Sequence, residues 1–283
     1  MCCGIIPIAA LCDYLSNSIF FEVEMKRFFG FTDNVGKPAG FLSLDHLLLV
    51  FAFMTLAVTL AIILGRRYHG RPLKEKNRVL VWSAIAIDSI ELFKIILMCV
   101  RNHDPLNFLY DLPLFMCSIQ LISIPMAAFC KGKLKSIALD LVVMFGLLGA
   151  VFGTLGAGNL FSSYPAWFFD CVVSVLTHWI SGFAALYIGI SGMATLEKRN
   201  SPLTIGVFSG FVFAAFVTNY LIDYNYMFLR AHDGTPYKIL YNLVNGNPVL
   251  YPITVIALFY IYIAVFYYVA VKMKSKQTST VCL

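Results

Sequence analysis

Charge is what this 283-residue chain has least of: 13% of its residues are Asp, Glu, Lys or Arg. Soluble domains usually carry about 25%. So sparse a complement cannot clothe a water-facing surface, which excludes a soluble enzyme and a disordered tail. The chain also lacks any CxxC pair; its nearest cysteines are the adjacent Cys2 and Cys3. That argues against a zinc site and a disulfide-stapled module. Cys99, Cys117, Cys130 and Cys171 lie in or at the ends of apolar runs and read first as small hydrophobes. Cys282 falls one place too late for a C-terminal prenylation box. There is no internal repeat, no low-complexity tract and no stretch that suits a soluble domain. Residues 2–21 lack the basic start and small-residue cleavage site of a signal peptide.

Apolar residues make up 60% of the chain, and mean hydropathy is +0.80. They fall in seven runs, at 42–64, 79–100, 109–130, 136–156, 165–194, 203–222 and 249–271. Each can cross about 30 Å of hydrocarbon at about 1.5 Å of helix rise per residue. The fold expected is an all-α polytopic membrane bundle of about seven transmembrane helices. Residues 41–272 form the transmembrane domain. Residues 1–40 read as an N-terminal segment lying in the interface, with an eighth span as the alternative, and 273–283 as a cytoplasmic tail.

The net charge of +6 does not point to nucleic acid, because the cations sit in clusters between apolar runs. Fourteen of the 21 Lys and Arg residues fall in alternate loops and the C-terminal tail, and six on the opposite side. The positive-inside rule then places the N-terminus outside and the C-terminus in the cytoplasm. A cell-membrane protein whose partners are membrane lipids is expected, with no nucleic acid, cofactor or metal.

Ionisable groups at membrane depth each need an explanation. Asp88, Glu91 and Lys94 recur at i, i+3, i+6 on the second run, either as an internal salt bridge or as the wall of a functional pocket. The third run opens at Asp111, which can cap a helix, with Pro113 tolerated in its first turn. Cys117 and Gln120 then share a face. A thiol needs a base nearby to become a nucleophile. The fifth run offers His178, with Ser174 and Asp170 on the same stripe, where Asp170 could orient the imidazole. His46 and Asn219 lie at the outer ends of the first and sixth runs. Gly146, Gly149, Gly153 and Gly156 read as a helix-packing stripe. Tyr220, Tyr224, Tyr226, Phe266 and Tyr268 read as an interfacial aromatic belt.

Three stretches carry a resemblance. They are Leu112-Pro113-Leu114-Phe115-Met116-Cys117-Ser118, then His178, then Asn225-Tyr226-Met227-Phe228-Leu229-Arg230 with Asp233-Gly234-Thr235-Pro236. Over most of 40–272 the chain resembles the bacterial YwaF-type membrane family, related to transmembrane protein 164 of animals. The resemblance implies a helical membrane fold with a polar site in the bundle. The animal relative is a lipid acyltransferase with a Cys nucleophile and a His partner, and the matching positions are Cys117 and His178. The family often has His two places before the cysteine, where this chain has Phe115; any role of that His would pass to His46 or His178. On this reading Glu91, Lys94, Gln120 and Asn219 are candidates to bind substrate or an oxyanion. Acyl transfer and lipid hydrolysis both fit. The alternative is a non-catalytic membrane protein, a small-solute carrier or a partner-binding subunit.

Overall fold

A computed structural model describes residues 21–194 and 196–281, with side chains up to residue 272. The interfacial reading of 2–21 lies outside these residues, except for Phe21 at the start of a short helical stretch over 21–28. The described secondary structure is helical: α1 (Leu44–Tyr68), α2 (Leu73–Arg101), α3 (Gln120–Phe129), α4 (Gly132–Leu155), α5 (Gly158–Ser163), α6 (Phe169–Ile190), α7 (Ser201–Ile222), α8 (Lys238–Leu243) and α9 (Leu250–Val281). Short 3-10 turns occur at Asn107–Tyr110, Lys198–Asn200 and Tyr226–Phe228.

The all-helical membrane architecture is as expected, but the seven runs are not equivalent. Among the described residues, five helical stretches are long and apolar enough to cross a membrane: α1, α4 continuing through α5, α6, α7 and α9. Helix α2 has the length, 29 residues, but carries Asp88, Glu91 and Lys94. The third run departs most, since only 10 of its residues form a helix, α3.

Proline explains that departure. Asp111 and Pro113 do not open a helix, because Pro113 has no N–H and disfavours helical backbone at Leu112. The chain makes a γ-turn across the proline instead, Leu114 N–H donating to the Leu112 carbonyl at 2.7 Å. The Ser118 hydroxyl then holds the next turn, accepting from the Phe115 N–H at 2.9 Å and donating to its carbonyl at 3.1 Å. Irregular backbone at membrane depth is tolerated where protein buries it or where it lines a cavity. In residues 111–119 Leu114 and Ile119 are buried, and Asp111, Leu112, Phe115, Cys117 and Ser118 line a cavity.

Helices α4 and α6 form the interior. In their most apolar windows 72% and 61% of residues are buried, against 22% in α1, α7 and α9. Small residues let the two approach closely: a Cβ on Gly146 would lie 2.7 Å from the Ser181 carbonyl oxygen, and one on Gly182 would lie 2.6 Å from Ala150 Cβ. Helix α6 also packs against α1 and α2, while α7 and α9 flank the other side of α4. Side chains such as Leu48, Phe51, Phe213 and Ile261 point outward and remain exposed, as lipid-facing positions of a bundle must. Gly156 caps α4 rather than packing on a neighbour.

Candidate functional site

Between α2, the irregular segment before α3 and α6 lies a cavity of about 320 Å³, a volume suited to a small ligand or part of a larger one. Helix α2 contributes Glu91 and Lys94 to its wall. The irregular segment contributes Asp111, Phe115, Cys117 and Ser118. Helix α6 contributes Asp170, Ser174, Thr177, His178 and Ser181, and Tyr224 closes one side.

His178 is half-buried. Its Nδ1 lies 2.6 Å from the Ser174 carbonyl oxygen. A carbonyl only accepts, so Nδ1 carries the proton and Nε2 of the neutral ring is left with its lone pair free. Nε2 is buried and has no hydrogen-bond partner among the described residues. The Cys117 side chain lies beside the ring, both being in reach of one point above Gly149.

Glycines make this juxtaposition possible. A Cβ on Gly149 would touch both Cys117 Cβ at 3.4 Å and His178 Cδ2 at 3.6 Å, and a Cβ on Gly153 would overlap His178 Nε2 itself. The stripe expected to serve helix packing alone therefore has two duties. Gly146 admits the α6 backbone; Gly149 and Gly153 admit side chains of the site.

The charges group around Lys94. Its Nζ lies 2.6 Å from Glu91 Oε1 and 3.0 Å from Asp111 Oδ1, with all three side chains less than a fifth exposed. This is the internal salt bridge foreseen within α2, widened by a carboxylate from the irregular segment. One ammonium serves two carboxylates, and Asp111 Oδ2 and Asp88 Oδ1 have no hydrogen-bond partner among the described residues. Lys94 is thus already engaged, and free capacity to grip a phosphate is not what its surroundings provide.

A family model describes the same region: the TMEM164 family model matches residues 41–271. The chain belongs to the TMEM164 family. No curated protein and no solved structure matches it. The matched residues run from just before α1 into α9, so every cavity residue named above lies within the family region.

In this TMEM164-family protein several candidate residues stand away from the cavity. His46 is buried against Phe161, ring centroids 3.8 Å apart, with Nε2 3.0 Å from the Thr154 carbonyl and Nδ1 accepting from the Leu42 N–H. It anchors the start of α1 to the end of α4. Gln120 shares no cavity face with Cys117, because the helix begins only at Gln120. Its Nε2 donates to the Leu141 carbonyl at 3.4 Å. Asn219 is spent on the backbone of Tyr226, accepting from its N–H at 2.6 Å and donating to its carbonyl at 2.9 Å.

Asp170 does not orient the imidazole either. It takes a two-pronged bond from Arg101, with Nη2 2.7 Å from Oδ2 and Nη1 3.3 Å from Oδ1. Two tyrosines assigned to an interfacial belt belong inside: Tyr224 lines the cavity and Tyr226 is fully buried. Asp111 as a partner of Lys94, and Ser181 on the cavity wall, were not anticipated. Ser181 sits three places after His178 on α6, and that spacing was the signal for it.

Proposed function

We propose that this TMEM164-family protein is a lipid acyltransferase, with Cys117 as nucleophile and His178 as its base. The observation that carries the reading is an imidazole on the cavity wall whose Nδ1 is committed to a carbonyl and whose Nε2 has no partner, with a thiol beside the ring. In that arrangement Nε2 takes the thiol proton while the sulfur attacks the carbonyl carbon of a phospholipid ester. The N–H groups of Cys117 and Ser118 supply hydrogen bonds to the oxyanion. Collapse of the tetrahedral intermediate breaks the ester C–O bond, and the departing alkoxide takes the proton from His178.

This leaves an acyl-thioester on Cys117 and releases a lysolipid. In the second half a lipid hydroxyl gives its proton to Nε2 and attacks the thioester. The thiol returns and a new ester is formed. Water in place of that hydroxyl gives hydrolysis by the same steps. With the basic loops in the cytoplasm, the cavity faces the outer half of the bilayer.

The test uses purified protein in liposomes containing a labelled phospholipid and a lysophospholipid acceptor, with products followed by mass spectrometry. Acyl exchange that disappears in both Cys117→Ala and His178→Ala supports the reading, and fatty acid release in place of exchange assigns hydrolysis. A folded wild type with no turnover overturns it and turns attention to transport.

A further inference from the structure

The segment Asn225-Tyr226-Met227-Phe228-Leu229-Arg230 takes no part in the chemistry just described, yet its backbone is held in a costly shape. Met227 and Phe228 both have φ of +55°, a left-handed conformation that side-chain-bearing residues rarely adopt and that surrounding structure must impose. Two asparagines impose it. Asn219 brackets Tyr226 through both its amide groups, as above. Asn225 Oδ1 accepts from the N–H groups of Arg230 at 2.8 Å and Ala231 at 3.2 Å, while its Nδ2 donates to the Ala231 carbonyl at 2.7 Å.

The consequence of this frame is the aim of one side chain. Tyr226 has no exposed surface. Its hydroxyl donates to the Leu109 carbonyl at 2.5 Å and accepts from the Leu112 N–H at 3.0 Å. Those two backbone groups lie immediately before the point where Pro113 breaks the third run. Its ring packs against Phe115, with centroids 5.0 Å apart, on the same irregular segment.

We infer that Tyr226 is a positioning residue for Cys117: its hydroxyl clamps the helix break that sets where the thiol stands relative to His178. The physical reason is that residues 111–119 lack a helical hydrogen-bond ladder to hold them. In a low-dielectric interior the freed N–H and C=O groups must find side-chain partners, and a single phenol serves one of each. The strained loop is the rigid mount from which that phenol reaches across. The inference rests on the reading of Cys117 as nucleophile, and it adds a role for the one motif that reading leaves unused.

The experiment compares wild type, Tyr226→Phe and Tyr267→Phe, as full-length protein in lipid nanodiscs. Tyr267 is the control: it also loses a buried hydroxyl, one bound to Thr204 and Asp140, and none of the three lines the cavity. Two quantities are read, the rate of acyl-thioester formation on Cys117 and the rate of Cys117 alkylation by N-ethylmaleimide relative to Cys99 and Cys130 in the same molecule. Tyr226→Phe is expected to slow acylation by about 100-fold, the usual cost of misplacing a reacting group by about 1 Å. Its alkylation ratio should change, and it should melt no lower than Tyr267→Phe, which acylates like wild type. Acylation at the wild-type rate in Tyr226→Phe, or an equal loss in both variants, overturns the inference. If wild type forms no thioester, the nucleophile reading fails by itself, and the alkylation ratio decides the clamp: unchanged, it is wrong. Should Tyr226→Phe not fold, Asn219→Asp serves instead, since it loosens the mount and keeps the hydroxyl; the same two readouts apply.

Discussion

A side chain at Gly153 would occupy the place of the His178 imidazole, because a Cβ built there overlaps Nε2. Gly153 is therefore the floor on which the imidazole rests, and its neighbour Gly149 is the floor of the space shared by His178 and Cys117. Only the glycine at 153 is indispensable to the site, since a Cβ there overlaps the ring while one at 149 makes ordinary contacts.

Gly153→Ala is accordingly expected to displace the ring and reduce acyl transfer by about 100-fold or more. Gly149→Ala places its methyl at ordinary contact distance, 3.4 and 3.6 Å, and should retain most of the activity. Initial rates in liposomes distinguish the two. Equal losses would show that the glycines act through helix packing and not through the imidazole.

Removing the ammonium that two carboxylates share should be severe. Lys94→Met leaves Glu91 and Asp111 as uncompensated buried charges, and a loss of about 3–5 kcal/mol is expected. Adding Glu91→Gln and Asp111→Asn to the same chain should restore most of it. Thermal unfolding in detergent gives both numbers. A harmless Lys94→Met would mean that water reaches the cluster freely.

Arg101 ties the N-terminal segment to α6, since it holds Asp170 and also reaches the Phe29 carbonyl at 3.4 Å. Asp170→Asn weakens a charge-assisted two-pronged bond, which should lower stability by about 2 kcal/mol. Amide exchange over residues 29–31 should accelerate with it, as read by mass spectrometry. Exchange that stays at the wild-type rate would show that this segment is held without Arg101.

Asn225→Ala removes the acceptor for two backbone N–H groups and the donor to the Ala231 carbonyl and the Asp233 carboxylate, the last at 2.6 Å. At about 1 kcal/mol per bond, with partial replacement by water, the expected loss is about 2–3 kcal/mol. A chemical-denaturation midpoint measures it. A neutral substitution would show that the left-handed turn at Met227 and Phe228 does not depend on the Asn225 bracket.

The helical class and the positions of five of the seven apolar runs as candidate membrane spans were legible in the sequence, because hydrocarbon thickness demands about 20 apolar residues and hydropathy reports them directly. The chemistry-bearing residues were partly legible for the same reason: a charge, thiol or imidazole in an apolar run stands out. Glu91, Lys94, Cys117 and His178 all line the cavity. What an isolated polar residue touches is a different matter. His46, Gln120 and Asn219 looked equivalent to them in the sequence, yet each is consumed by a backbone group elsewhere.

Those outcomes depend on which helices are neighbours and on how each is rotated, and a single sequence states neither. Hydropathy is averaged over a window, so it could not register that the third run breaks at Pro113 and becomes a helix only at Gln120. The same blindness placed Tyr226 in an aromatic belt. Residue type determined which groups at membrane depth had to find partners. Only the packing of α2, α4 and α6 around a proline-broken segment decided which partners they found, since a buried polar group takes the nearest complementary group that the fold brings to it.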